Sequence, residues 1–351
     1  MKLNEICEVY SGYALKAFND AEDGLPVIKI GNILTDGTLN LEECQYTTDS
    51  VNEKYYSQRG DIYIALSGAT TGKIGIMDAG EKYVINQRVG IVRQKSDDVP
   101  QEYIKYFLLR QTNRILQEAA GCAQPNISPK QIAEYVIPDT SQEKMQEICE
   151  VLDRIKKIID SRKAEMSALD DLIKARFVGM FGTPYRNEKG FPMKSVDDVI
   201  EFIGGAQPDK KYFEYAPTDN NIRLIQIRDY KTDNYVTYIP KSMAKRFCDA
   251  DDIMIGRYGP PIFQILKGIE GSYNVALMKA TPKMGNKEFI RYFLKQDCLF
   301  NYLDGLSQRT AGQSGIEMPA LKAYPFPYPP LELQNQFADF VHQVDKSKVV
   351  W

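Results

Sequence analysis

Two stretches of this chain repeat one another in order, and that repetition limits the fold more than any other feature. Met1-Lys2 opens one unit and Met193-Lys194 the next, a period of about 190 residues. Pro26 to Ile30 (PVIKI) matches Arg223 to Ile227 (RLIQI), an alternation suited to a half-buried strand. Gly60 to Ile64 (GDIYI) matches Asp251 to Ile255 (DDIMI), each followed by a loop with glycine, Gly68 or Gly259. Glu102 to Leu108 (EYIKYFL) matches Glu288 to Leu294 (EFIRYFL) with helical apolar spacing. Gln124 and Ile127 pair with Gln313 and Ile316, and Tyr135 and Pro138 with Tyr324 and Pro327. A unit of this size is too long for a solenoid repeat and predicts a duplicated domain.

Each copy reads as strands separated by turn residues, short helices, then a long helix. The fold class expected is α+β: two tandem, similar, mixed α/β domains, at 1–140 and 183–330. They are joined by a spacer helix at 141–182, and a second, shorter copy of that helix covers 331–351. Ser141 is the expected N-cap of the first helix. Apolar residues then recur at Ile148, Leu152, Ile155, Ile159, Met166, Leu169 and Ile173, in mostly alternating steps of four and three that describe a coiled-coil seam. Arg162 takes one seam position, where it is expected to weaken the packing. Gly182 and Pro184 stop the helix. The second copy carries Phe337, Val341 and Val344 and holds about half the residues of the first, so a truncated scaffold is expected.

The 351 residues suffice for two ordinary domains, and 43% hydrophobic against 26% charged residues allows each a core. A single histidine, His342, argues against His-based metal sites and His-assisted nucleophiles. Cys7, Cys44, Cys122, Cys149, Cys248 and Cys298 are scattered without a C-x-x-C pair, as reduced core residues are. No stretch approaches the roughly 20 apolar residues of a membrane span. Met1-Lys2-Leu3-Asn4-Glu5 lacks the apolar run of a signal peptide, so a cytoplasmic protein is expected. The net charge of −3 does not by itself suggest nucleic acid; a basic surface here must be local or shared with partners.

With these features in hand, the chain resembles the specificity subunit of type I restriction–modification systems. The resemblance rests on the two-unit layout, the Gly60-Asp61-Ile62 and Asp251-Asp252-Ile253 corners, and the run from Tyr324 to Gln334 leading into a helix. It implies that each unit is a target recognition domain reading one half of a split double-stranded DNA site. It implies that the spacer helices pack as an antiparallel coiled coil on which DNA methyltransferase subunits dock. A restriction and translocase subunit is the further partner. The chain itself is expected to bind no cofactor; S-adenosylmethionine, ATP and Mg are implied for the partner subunits. The short second helix departs from the family pattern and puts docking of the second methyltransferase subunit in doubt.

Loops rich in hydroxyls, amides and arginine suit phosphate positioning and base-edge contacts. In the first unit these are Ser67, Thr70, Thr71 and Lys73, then Asn86, Gln87 and Arg88, then Gln124, Asn126, Ser128 and Lys130. In the second they are Arg257, Tyr258, Gln264 and Asn274, then Arg309, Thr310, Gln313 and Ser314. Gly68 to Lys73 imitates a nucleotide-binding loop. It has three residues between its glycines where that loop has four, and Ile74 follows the lysine where Ser or Thr is needed. No glycine-rich cofactor loop or catalytic constellation stands out, so a non-catalytic role is expected. The competing reading is a bivalent scaffold that binds proteins through two similar heads on a helical spacer.

Overall fold

The computed structural model describes residues 1–349 apart from 21–22, 121–124, 260 and 308–314. The chain divides into two compact units, Met1–Ser161 and Arg162–Trp351.

In the first unit, helix α1 (Leu3–Ile6) leads into β1 (Cys7–Ser11), followed by β2 (Leu25–Ile28), β3 (Gln45–Thr47), β4 (Ile62–Ala65), β5 (Ile74–Ile76), β6 (Val84–Ile85) and β7 (Val89–Gln94). They form an antiparallel sheet of order β1-β7-β4-β5 and a smaller sheet of order β3-β2-β6. Helices α2 (Gln101–Arg110), α3 (Thr112–Ala119) and α4 (Pro129–Ala133) follow. Strand β4 shows why both faces of the large sheet are covered. All four of its residues are buried, and the two-residue period sends Ile62 and Ile64 into one core with Tyr103, Ile104 and Leu108. Tyr63 and Ala65 go into the other, with Ile28, Ile85 and Ile91.

The second unit repeats this plan. Strand β8 (Met193–Ser195) and helix α6 (Val196–Val199) precede β9 (Ile200–Gly204), β10 (Asn221–Ile225), β11 (Tyr238–Pro240), β12 (Phe247–Cys248), β13 (Ile253–Gly256), β14 (Gln264–Lys267), β15 (Gly271–Tyr273) and β16 (Leu277–Pro282). Their orders are β14-β13-β16-β9 and β11-β10-β15-β12. Helices α7 (Lys287–Leu294), α8 (Asp297–Ser307) and α9 (Met318–Ala323) follow, then β17 (Pro325–Pro327) and α10 (Leu331–Val349).

The correspondence extends to single hydrogen bonds. Leu3 N donates to Tyr135 O at 2.8 Å, and Val196 N to Tyr324 O at 3.0 Å. Gly12 N donates to Val89 O, and Gly205 N to Leu277 O, at 2.9 and 3.0 Å. A Cβ on Gly12 would lie 2.3 Å from Ile85 O, and one on Gly205 1.9 Å from Asn274 O, so only glycine fits either crossing. The two Gly/Asp-Asp-Ile corners owe their aspartate to a turn: Gln58 N donates to Asp61 Oδ2 and Asp249 N to Asp252 Oδ2.

Helix α5 (Gln142–Phe181) runs 40 residues from the first unit into the second, about 60 Å of helix at 1.5 Å per residue. Ser141 Oγ accepts Lys144 N at 3.3 Å, and Gly182, at φ +72°, ends it. Its seam residues divide by environment. Within the first unit, Ile148 packs with buried Met145 and Cys149, and Leu152 is half-buried. Ile155 and Ile159 are 47% and 48% exposed. Within the second unit, Met166 is half-buried, Leu169 packs on the core, and Ile173 is fully buried beside Phe177. There α10 supplies Phe337, Val341 and Val344 to the same core, which is the helix pairing that the spacing predicts. Arg162 does not weaken that pairing. Its Nη2 donates to the α10 carbonyls of Ser347 and Lys348, 3.4 and 3.2 Å away, so the guanidinium joins the two helices by hydrogen bonds.

Candidate nucleic-acid interface

At one end of the large sheet of the first unit, three loops converge with the end of β1. The loop after β4, the turn between β6 and β7, and the segment before α4 enclose an open cleft of about 690 Å³. Ser11, Ser67, Gln87, Arg88, Asn126 and Ser128 line it over a floor of Leu66 and Ile127. The loops are stitched by main chain: Leu66 N donates to Arg88 O and Ile127 N to Leu66 O, both at 2.9 Å, and Ser67 bridges Asn126. Gln87, Arg88 and Asn126 are exposed, offering amide and guanidinium donors of the kind that read base edges.

Other predicted residues serve the loops themselves. Thr71 is buried, and its hydroxyl donates to Gly68 O at 2.7 Å. Asn86 is buried, and its Oδ1 accepts Arg88 N at 3.2 Å. Thr70 Oγ1 is enclosed with no partner among the described residues, and half-buried Lys73 donates its backbone N–H to Thr70 O at 3.0 Å. Ser128 lines the cleft but is bound into a capping box with Gln131 at the start of α4. Lys130 is exposed on α4 along a neighbouring hollow with Arg114, Gln131 and Glu134. Gln124 lies outside the described residues.

The second unit builds the same frame with different side chains. Arg257 N donates to Ala276 O at 2.9 Å, and Tyr258 bridges Gly315. Arg257 stands over the Tyr258 ring at 5.2 Å and donates from Nη1 to Val275 O at 3.4 Å. Asn274 repeats the part of Asn86: it is buried, and its Oδ1 accepts Ala276 N at 3.1 Å. Gln264 sits on β14 opposite Gly256 and lines a separate hollow with Pro261, Phe263 and Lys295. Arg309, Thr310, Gln313 and Ser314 lie outside the described residues. Asn86, Asn274 and Thr71 are therefore corrected from contact residues to turn residues. An amide or hydroxyl beside a free main-chain N–H or C=O folds onto it, and residue type alone does not tell which way it turns.

Sequence reasoning missed Ser11 and its counterpart Gly204. The signal was present: both immediately precede the glycine that crosses the neighbouring strand. It also missed the ion pair behind the first corner, where Arg93 Nη2 meets Asp61 Oδ2 at 2.6 Å with both side chains nearly enclosed. Burial pulls Arg93 down, and the Asp61 carboxylate more than offsets it, holding the guanidinium above its usual range. Charge is divided unevenly. The first unit carries 18 Lys and Arg against 24 Asp and Glu, the second 26 against 23. Burial pushes the Cys7 thiol up to about 12 and Cys248 to about 11, so neither supplies a thiolate at neutral pH. Among the described residues, no cluster of three or more His, Cys, Asp or Glu is placed to hold a metal ion.

The duplicated frame is that of a repeated DNA specificity domain. The family model for the type I restriction modification DNA specificity domain matches residues 1–169 and again residues 188–349, and the chain belongs to this family. Similar proteins include the type I restriction enzyme MjaVIII specificity subunit of Methanocaldococcus jannaschii. It is 26% identical over 179 residues, 48% of this chain and 42% of that protein. The EcoBI specificity subunit of Escherichia coli is 22% identical over 205 residues, 56% of this chain and 41% of that protein. Each match spans about two fifths of the curated relative's length. The fold is shared with the S subunit of the type I restriction–modification system from M. genitalium, at TM-score 0.51 and 14% identity over 99% of this chain and 89% of that one. A chain from a structure describing complex assembly and conformational transition of the type I R-M system has the same TM-score and identity, covering 99% and 90%.

Proposed function

We propose that this chain is a DNA-reading subunit of a type I restriction–modification assembly, each unit checking one half of a bipartite duplex site. The observation that carries this is the twin occurrence of the specificity domain, with a polar cleft in the first copy whose main-chain loop frame recurs in the second. Recognition without catalysis is the role; methyl transfer to adenine and cleavage belong to a methyltransferase and a restriction/translocase subunit. S-adenosylmethionine, ATP and Mg would act on those subunits. The exposed Ile155 and Ile159 on α5 support docking of a partner helix there. No helix among the described residues is long and apolar enough to cross a membrane, and cytoplasmic DNA is the substrate proposed. The protein-scaffold alternative rests on the net charge of −3 and on no arrangement of residues.

The test is selection from a randomised duplex library by the full chain, alone and with its methyltransferase partner. The expected outcome is two short conserved words separated by a fixed number of unread positions. Equal recovery of all sequences by the assembled complex would refute the reading.

A further inference from the structure

The loop frame around the first unit's cleft corresponds residue by residue, through its main-chain bonds, to a frame in the second unit. Leu66 N to Arg88 O corresponds to Arg257 N to Ala276 O, each 2.9 Å long. Asn86 Oδ1 to Arg88 N corresponds to Asn274 Oδ1 to Ala276 N. Ser11 pairs with Gly90 as Gly204 pairs with Met278. Position 66 is thus equivalent to 257, position 88 to 276, and position 11 to 204. Each frame holds one arginine at this pair of neighbouring positions, and the two frames hold it on opposite sides: Leu66 with Arg88, but Arg257 with Ala276.

The surroundings have changed in step. Arg257 Nη1 lies 3.7 Å from the point where a Cβ on Gly204 would stand, and it bonds the carbonyl of Val275, the counterpart of Gln87. The guanidinium therefore occupies the place that Ser11 and Gln87 border in the first unit, and the loss of the Ser11 side chain leaves it room. Among the described residues, neither Arg88 nor Arg257 is held in an ion pair.

We propose that each domain offers two alternative seats for one recognition arginine, and that filling opposite seats makes the domains read different words on one frame. The ligand of each guanidinium is a guanine edge in the major groove, which it meets with two parallel donors. This rests on the DNA-reading function proposed above, and deepens it by naming the specificity-determining side chains.

The test uses the full chain with its methyltransferase partner and the same randomised duplex library. Arg88→Gln should erase the guanine preference at one column of one word, with about 10- to 100-fold weaker binding to the parent site. Arg257→Gln should do the same in the other word only. The transplant Arg257→Leu/Ala276→Arg, which copies the first domain's arrangement into the second, should restore a single-column guanine preference in that word. Melting curves confirm that each variant is folded. A parent complex with no bipartite preference would fail the functional reading. A parent with two clear words, whose Arg88→Gln and Arg257→Gln variants keep every column, would overturn the arginine assignment alone. So would uniform weakening across all sequences, the signature of a phosphate contact. A folded transplant with no restored column would overturn the exchange of seats.

Discussion

The two recognition units have one backbone plan and two ways of placing cations on it. At the first corner, Asp61 is 1% exposed and is met by Arg93 through two bonds, Nε to Oδ1 at 2.8 Å and Nη2 to Oδ2 at 2.6 Å. At the second, Asp252 is met by Lys279 at 3.1 Å and Lys287 at 3.9 Å, and the groups are more open. The register places Arg93 opposite the first corner where the second has Thr281, whose hydroxyl is enclosed with no partner among the described residues. The positive charge has moved two residues back along the same strand. The lesson is that ladder bonds fix where positions lie, while the charge that serves a position can be supplied from a neighbouring one.

The sharpest way to break this comparison is to remove one cation from each corner. Arg93→Met leaves an enclosed carboxylate unpaired and should destabilise the first unit by about 3–5 kcal/mol. Lys279→Met should cost much less, because Asp252 keeps Lys287 and access to water. Calorimetry of the full chain, following the two unfolding steps, checks both; equal losses would end the claimed asymmetry. Next in size, Leu169→Glu should cost about 2 kcal/mol, since that side chain packs on the second core. Ile155→Glu on exposed helix should leave the melting of the chain within about 0.5 kcal/mol and weaken only assembly with partners. Sedimentation with the methyltransferase subunit separates the two effects.

A third contrast lies at the N-caps of equivalent helices. Ser128 accepts Gln131 N at the start of α4, whereas Glu317 makes no side-chain cap bond at the start of α9. Ser128→Ala should cost about 1 kcal/mol and Glu317→Ala almost nothing, measured by urea unfolding. A pH-dependent effect is expected at Asp229, which stands where the first unit has Asn32. Gln226 N bonds Asp229 Oδ2 as Lys29 N bonds Asn32 Oδ1. Burial raises the Asp229 carboxyl above its usual value, outweighing Arg223 nearby. The folded state then binds its proton more readily than the unfolded state, so stability falls as pH rises from the ordinary carboxylate range through the raised value. Asp229→Asn should remove that dependence and raise the melting temperature of the second unit by a few degrees at most above that range. A steeper acid dependence in the variant would reverse the sign and refute it.

Much of this architecture is legible in the sequence. Matching Tyr135 with Tyr324 and Ile28 with Ile225 placed residues that make identical main-chain bonds, because a repeated apolar pattern is a repeated set of buried positions. The end of α5 was legible too, because Gly182 can take a left-handed turn that stops a helix. Within the cleft, residue type was a weaker guide. Gln87, Arg88 and Asn126 do face it, while Asn86 and Thr71, drawn from the same chemistry, turn back onto the loop. Arg162 is harder to read, because a seam position suggests an apolar partner, whereas here the guanidinium bonds main-chain carbonyls of the facing helix. Arg257 is visible in the sequence, but its relation to Arg88 emerges only from the strand register.

The bonds that stitch each cleft together run between main-chain atoms, Leu66 N to Arg88 O in one unit and Arg257 N to Ala276 O in the other. Every amino acid except proline brings the same N–H and C=O to such a bond. At the exposed positions on these bonds, Arg88 among them, vocabulary can therefore be edited without disturbing grammar: a new side chain changes the chemistry offered there, and the loop that holds it keeps its shape. Gly12 and Gly205 are the punctuation that admits no substitute.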